Sequence, residues 1–136
     1  MPQSLFMLDT NIVSFIIRGA SPLLKERLSS VPLARLTISV LTEAELRYGV
    51  AQAPHAKKLG TLVDNFLSHV TILPWESAAA EEYALLRRAL TRKGLSLTNM
   101  DMLIAAHALA ARATLVTNDA ALLRLHPLVK TTDWTT

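Results

Sequence analysis

Four carboxylates in a chain of 136 residues stand where chemistry would need them: Asp9, Glu45, Asp101 and Asp119. Each falls at the start of an expected helix, and Asp9, Glu45 and Asp119 also follow close behind expected strands. An acid in a helix's first turn stabilises it by roughly 0.3–1 kcal/mol through the macrodipole. Thr42-x-x-Glu45 and Thr98-x-x-Asp101 also match a capping box, the second loosely. Capping is the ordinary reading of each acid taken singly. It does not explain why three of them share one rim of a sheet. Two carboxylates about 5 Å apart, at an effective dielectric near 20, repel by roughly 3 kcal/mol. Four that converge must take up protons or gather around a cation. Oxygen donors alone, without Cys or a spaced His pair, favour Mg²⁺ or Mn²⁺. Such an ion acidifies a bound water and holds a phosphate oxygen, which suits phosphodiester hydrolysis. Glu43 and Glu45 lie about 200° apart on a helix, so they cannot both face one ion. With Leu46, Gly49 and Val50 on the buried side, Glu43 is expected to face solvent or Arg47, four residues on.

The elements that must position these acids alternate. Apolar 5–8 reads as a buried strand that meets polar Asp9-Thr10-Asn11 at once. Helices are expected over 11–18, closed by Gly19, and over 22–30, with Pro22 in the first turn. A β-branched strand follows at 35–40, then helices at 42–50 and from Pro54 to about 69. A third strand at 70–73 precedes a long amphipathic helix, 76–93, ended by Gly94. An Ala-dense helix at 98–112, a fourth strand at 113–117, a short helix at 119–125 and an edge strand at 128–131 complete the chain. This alternation implies an α/β fold whose central parallel sheet of four to five strands is covered by helices on both faces. Ligands of such folds sit beyond the carboxyl ends of the strands, where the acids fall.

Composition sets the outer bounds. The length suits one domain, 1–136. A hydrophobic share of 51% allows an ordinary core and excludes intrinsic disorder. A charged share of 18% is below the usual quarter, so part of the surface is expected to be apolar and to meet a partner or a second copy. The absence of cysteine excludes disulfides and thiolate metal sites. The first nine residues lack a signal-peptide layout, and no apolar run is long enough to span a membrane, so a soluble, cytoplasmic protein is expected. Setting the four acids aside leaves 14 bases against 7 acids. Arg18, Arg47, Arg87, Arg88, Arg92 and Lys93 are candidates to hold a nucleic-acid backbone at an acidic notch. Their ordinary alternative is a set of solvated helix faces.

In order and spacing, Met7-Leu8-Asp9-Thr10-Asn11, Ile38-Ser39-Val40-Leu41-Thr42-Glu43-Ala44-Glu45-Leu46-Arg47-Tyr48-Gly49, Asp101-Met102-Leu103-Ile104-Ala105-Ala106-His107-Ala108 and Val116-Thr117-Asn118-Asp119, closing with Asp133-Trp134, resemble the PIN-domain ribonucleases. Within them they resemble the VapC toxins of type II toxin–antitoxin pairs, over nearly the whole chain. The resemblance implies a PIN-like three-layer α/β/α fold and Mg²⁺- or Mn²⁺-dependent endonuclease action on RNA that inhibits translation. The RNA would be structured, such as tRNA, with initiator tRNA among the candidates. It also implies a cognate VapB-type antitoxin that blocks the site, a homodimer, and a larger complex that binds promoter DNA through the antitoxin. Asp9, Glu45, Asp101 and Asp119 match the family's four acids, Glu45 because it directly precedes Leu46-Arg47-Tyr48-Gly49. Asn11, Thr117 and Asn118 match polar positions that support those acids.

The remaining chemistry-bearing residues have plainer readings. His107 is read as packing or a local hydrogen bond, and His55, His69 and His126 lack a spaced partner. Trp75 and Trp134 are read as packing, and Tyr48 as a core staple or a dimer contact. Two rival functions compete. Asp9-Thr10-Asn11-Ile12-Val13 nearly matches a phosphoaspartate phosphatase start, but Asn11 stands where the second Asp is needed. A receiver domain would need an acceptor Asp where Leu73-Pro74-Trp75 stands and a Lys near Val116-Thr117-Asn118. A catalytically inactive PIN-like binding module is the other rival, disfavoured by the presence of all four acids.

Overall fold

In the computed structural model, which describes residues 4–53 and 55–136, five parallel strands form one sheet with helices on both sides. The chain runs β1 (Leu5–Leu8), α1 (Thr10–Arg18), α2 (Pro22–Ser29), a 3₁₀ turn (Leu33–Arg35), β2 (Leu36–Ser39), α3 (Val40–Gln52) and α4 (Lys57–His69). It continues through β3 (Thr71–Leu73), α5 (Ser77–Arg92), α6 (Asn99–Ala110), β4 (Ala113–Val116), α7 (Ala120–Leu123) and β5 (Thr131–Thr132).

The strand order is β3-β2-β1-β4-β5, so β1 lies at the centre. The chain builds outward from β1 through β2 to β3, then crosses to the other side for β4 and β5. The switch point therefore falls between β1 and β4, where the register pairs Leu8 with Val116. Side chains alternate across the central strand. Met7 joins Leu115 in a core with Leu86, Leu90, Ile104 and Leu122 from α5, α6 and α7. Leu8 joins Ile38 and Val116 in the opposite core, against Ile12, Leu24, Val63 and Leu67 from α1, α2 and α4. The apolar strand runs are explained by this burial on both faces.

The strand-to-helix junctions are short. Asp9 alone separates β1 from α1 and caps the helix, its Oδ1 accepting from the Ile12 N–H at 2.9 Å. Gly19 ends that helix at φ 64, a left-handed position that glycine adopts at little steric cost.

Several boundaries shift by one or two residues, and three departures have a structural reason or limit. Helix α3 starts at Val40, not Thr42, because Ser39 is the N-cap and its hydroxyl accepts from Leu41 N–H. Thr42 is therefore a buried residue inside the helix, and the Thr42–Glu45 capping box does not form. The last strand is Thr131–Thr132 rather than 128–131, since its pairing starts at Leu115 with Thr131, while Val129 is buried in the core. Helix α4 begins at Lys57, and Pro54, its expected start, lies outside the described residues. Among the described residues no helix is long and apolar enough to cross a membrane.

Candidate functional site

Asp9, Glu45, Asp101 and Asp119 line one cavity of about 120 Å³, together with Thr10, Asn11 and Ile104. It lies at the carboxyl ends of β1 and β4, at the switch point. Four elements separated by up to 110 positions in the chain thus deliver one carboxylate each.

Each acid is held differently. Asp9 is buried, 5% exposed, and caps α1 with one oxygen. Asp119 follows β4 and caps α7, its Oδ1 accepting from the N–H groups of Ala121 and Leu122 at 2.9 and 3.1 Å. Its own N–H donates to the buried Thr117 hydroxyl at 3.1 Å. Asp101 enters from the first turn of α6, where its N–H donates to the Thr98 hydroxyl at 3.2 Å. Glu45 is in the second turn of α3, beyond the reach of a capping role, and its carboxylate accepts from the Thr10 hydroxyl. Thr42 Oγ1 stands 3.3 Å from that same hydroxyl. For Asp9 and Asp119 capping and site geometry coexist, one oxygen serving the helix.

The electrostatics follow from crowding and burial. Burial pushes the Asp9 carboxyl up from 3.8 to about 6. Hydrogen bonds from Thr117 and Ile12 oppose the rise, and the Asp101 and Asp119 charges add to it. Asp101 is raised as well, first by burial, then by the charges of Asp119 and Glu45, against a hydrogen bond with Thr98. The wall carries only oxygen donors and no imidazole, which fits a hard divalent cation. Among the described residues, no three His, Asp or Glu side chains close in tightly enough to form a direct cage.

The supporting residues divide. Thr117 is buried and bonded to both Asp9 and Asp119. Asn11 is exposed on the cavity wall. Asn118 is half-buried and outside that wall. Thr10, which holds Glu45, was not expected from the sequence. A hydroxyl next to Asp9 has no spacing signal until α1 and α3 are packed together.

The basic candidates do not gather at the cavity as one group. Arg47 pairs with Glu43 at 2.8 Å and approaches Asp64 at 3.7 Å, so Glu43 faces Arg47 as expected. Gly49, expected on the buried side of α3, is exposed. Arg87 donates to the Tyr83 hydroxyl at 2.8 Å, and Arg18 lies 5.4 Å from the Phe15 ring centre. Arg88, Arg92 and Lys93 are exposed near the end of α5. Because Ala79 of α5 and Ala111 just past α6 share one pocket, the two helices run antiparallel, and that end of α5 lies toward the start of α6, where Asp101 is.

The plainer readings agree with the structure. His107 is buried, with Nδ1 2.8 Å from the Ser39 hydroxyl. Trp75 donates to the Leu103 carbonyl at 3.0 Å, and Trp134 is buried against Phe6 with ring centres 5.0 Å apart. Tyr48 is 64% exposed, which excludes the core-staple reading.

The PIN domain family model matches residues 6–126. Ribonuclease VapC2 of Rickettsia felis is 36% identical over 116 residues, 85% of this chain and 87% of that protein. The tRNA(fMet)-specific endonuclease VapC of Shigella flexneri is 30% identical over 129 residues, 95% of this chain and 97% of that protein. Among solved structures, DNA-bound VapBC from Salmonella typhimurium superposes with a TM-score of 0.88 at 30% identity, covering 97% of this chain and 99% of that one. VapBC2 from Rickettsia felis, bound to a fragment of its promoter, gives 0.85 at 34% identity, covering 96% and 98%.

Proposed function

The chain belongs to the PIN-domain family, and from that membership we propose that it is a divalent-metal-dependent endoribonuclease, the toxin of a VapBC-type toxin–antitoxin pair. The observation that carries this reading is the convergence of Asp9, Glu45, Asp101 and Asp119 on one small cavity at the switch point. Structured RNA is the proposed substrate, with initiator tRNA the first candidate because the Shigella flexneri relative is named for tRNA(fMet).

The four acids would hold the ion, Mg²⁺ or Mn²⁺. When bound, it supplies an acidified water and a counter-charge for the phosphate oxygens. The chain's own residues do the rest. Thr117 and Ile12 N–H fix the Asp9 carboxylate, and Thr10 fixes Glu45. Asp101 is half-buried on the wall and would be placed to accept a proton from the attacking water. The water oxygen would bond to phosphorus, one P–O ester bond would break, and the departing ribose oxygen would take up a proton from solvent, balancing the one lost by the water. No side chain forms a covalent intermediate. Arg88, Arg92 and Lys93 flank the backbone's approach.

Partners follow from the same reading: a VapB-type antitoxin, a second copy of the chain, and promoter DNA reached through the antitoxin. The place of action is the cytoplasm, where RNA and antitoxin meet. The test is cleavage of a total tRNA pool in Mg²⁺ or Mn²⁺, followed by sequencing of the new 5′ ends. Discrete cuts that disappear on chelation are expected. An intact pool in both metals overturns the reading.

A further inference from the structure

The acid cavity is braced by a part of the chain that does not line it. Thr117 is fully buried, and its hydroxyl serves two acids at once. It bonds the Asp9 carboxylate and accepts from the Asp119 N–H at 3.1 Å. The backbone of Thr117 is held in turn by β5, its N–H donating to the Thr132 carbonyl at 3.0 Å. Thr132 therefore fixes where the end of β4 stands, and the end of β4 fixes the hydroxyl between Asp9 and Asp119.

On its own β5 is a poor anchor. It has two residues, both threonine, and lies at the edge of the sheet with a neighbour on one side only. The fastening comes just after it. Trp134 is 7% exposed and seated in the core shared with α1, α2 and α4, its ring centre 5.0 Å from that of Phe6. An indole is among the largest apolar anchors a chain carries. Between Trp134 and β5, the Asp133 carbonyl accepts from the Arg27 guanidinium of α2 at 2.9 Å. The Asp133 carboxylate accepts from the Thr135 N–H and hydroxyl at 2.8 and 2.6 Å, which closes the turn.

We propose that Trp134 is a positioning residue of the acid cavity, seating β5 so that the Thr132 carbonyl holds Thr117 between Asp9 and Asp119. The inference rests on the nuclease reading above and deepens it, extending the ion-holding apparatus to a residue that meets neither ion nor RNA. Trp134 lies two residues beyond Thr132, and the one residue between them is clamped by Arg27. Withdrawing the indole frees β5 to shift along β4, and Thr117 shifts with it. Two carboxylates aligned through one hydroxyl tolerate little of this, since a misplacement of about 1 Å can cost a reaction on the order of 100-fold.

The experiment compares Mn²⁺ binding, followed by water-proton relaxation, in the unaltered chain, Trp134→Ala, Trp134→Phe and Leu67→Ala. Leu67 is similarly buried in the same core but belongs to α4, so it controls for lost packing. Each protein is measured well below its melting temperature. Trp134→Ala is expected to weaken Mn²⁺ binding by about ten-fold or more and to lower kcat for RNA cleavage at least as far, with KM nearly unchanged. Hydrogen exchange at the Thr117 amide is expected to accelerate in the same variant. Trp134→Phe is expected to restore most of the affinity, and Leu67→Ala to leave it unchanged. Arg27→Met removes only the bond to Asp133 and is expected to weaken Mn²⁺ by about three-fold; it decides alone should Trp134→Ala not fold. Unchanged Mn²⁺ affinity in the variants that fold, of Trp134→Ala and Arg27→Met, overturns the proposal. An equal loss in Leu67→Ala overturns it too, as does weakened binding with the Thr117 amide still protected. An unaltered chain that binds no Mn²⁺ and leaves the tRNA pool uncut fails the nuclease reading itself, and the positioning role falls with it.

Discussion

Beyond β2 and β3, His107, Ser39 and Pro74 meet; beyond β1 and β4, Asp9, Asp101 and Asp119 meet. Both clusters are polar and largely buried at the same edge of one sheet. The first is internally satisfied. The His107 ring donates to the Pro74 carbonyl, Nδ1 faces the Ser39 hydroxyl, and Ser39 accepts from Leu41 N–H. Burial holds the imidazole below its usual 6.5, so it is uncharged at neutral pH. The second cluster consists of like charges, and its own hydrogen bonds do not cancel burial and mutual repulsion. One junction joins α6 to β2 and the β3–α5 loop. The other retains an electrostatic cost that a cation would relieve. Burial and polarity alone do not mark a site; unrelieved charge of one sign does.

The sharpest way to break this contrast is Asp9→Asn. Cleavage is expected to fall by two or more orders of magnitude, while stability under chelation stays equal or rises, because asparagine still caps α1. A loss of more than about 2 kcal/mol in urea unfolding would make Asp9 a structural cap, like Ser39. The opposite outcome is expected for His107→Leu. It strips partners from Ser39 and Pro74 and is expected to cost about 1–3 kcal/mol, equally with and without Mg²⁺. A Mg²⁺-dependent cost would join the two clusters into one unit.

Titration separates them further. Asp9 binds its proton more tightly folded, near 6, than unfolded, near 3.8. Its contribution to stability therefore falls as pH rises from about 4 to 6 and is flat above. Asp101 acts in the same direction. His107 acts in reverse, since the unfolded chain binds that proton more tightly and stability rises as pH climbs toward 6.5. Under chelation, Asp9→Asn is expected to gain about 1–3 kcal/mol over the unaltered chain between pH 4 and 6, and His107→Leu to steepen the fall. Parallel pH curves for all three proteins would cancel the electrostatic account. The smallest effect belongs to the periphery. Neutralising Arg88 and Arg92 together is expected to reduce the salt slope of RNA binding by about 1–2, and an unchanged slope leaves them as solvated surface.

The sequence showed these features unequally. Asp9, Asp101 and Asp119 were legible because each stands at an element's edge, marked by the Thr98 cap and by abrupt polarity after apolar strands, whereas Glu45, inside α3, was legible from the Leu46-Arg47-Tyr48-Gly49 that follows it. The sheet was legible because LFML and TLV are apolar on both faces. The start of α3 was not. Val40 is β-branched and ends a β-branched run, and the junction is a single serine with no glycine or proline to mark it. Thr10 was hidden for another reason. Its bond to Glu45 exists only between α1 and α3, which the chain separates by more than twenty residues. Whether a base is an active contact or a wet helix face depends on the same three-dimensional neighbours. The tie of Arg47 to Glu43 within α3 was expected from its spacing; the direction of Arg92 was not.

The strand order has a consequence for how the molecule is made. β1 is synthesised first, yet it sits between β2 and β4, and the acid at its end waits for a neighbour 110 positions later. During translation, the pocket's fourth wall is missing until the segment around Asp119 has left the ribosome and β4 has docked. A growing polypeptide therefore holds no complete acid cavity until that docking has occurred.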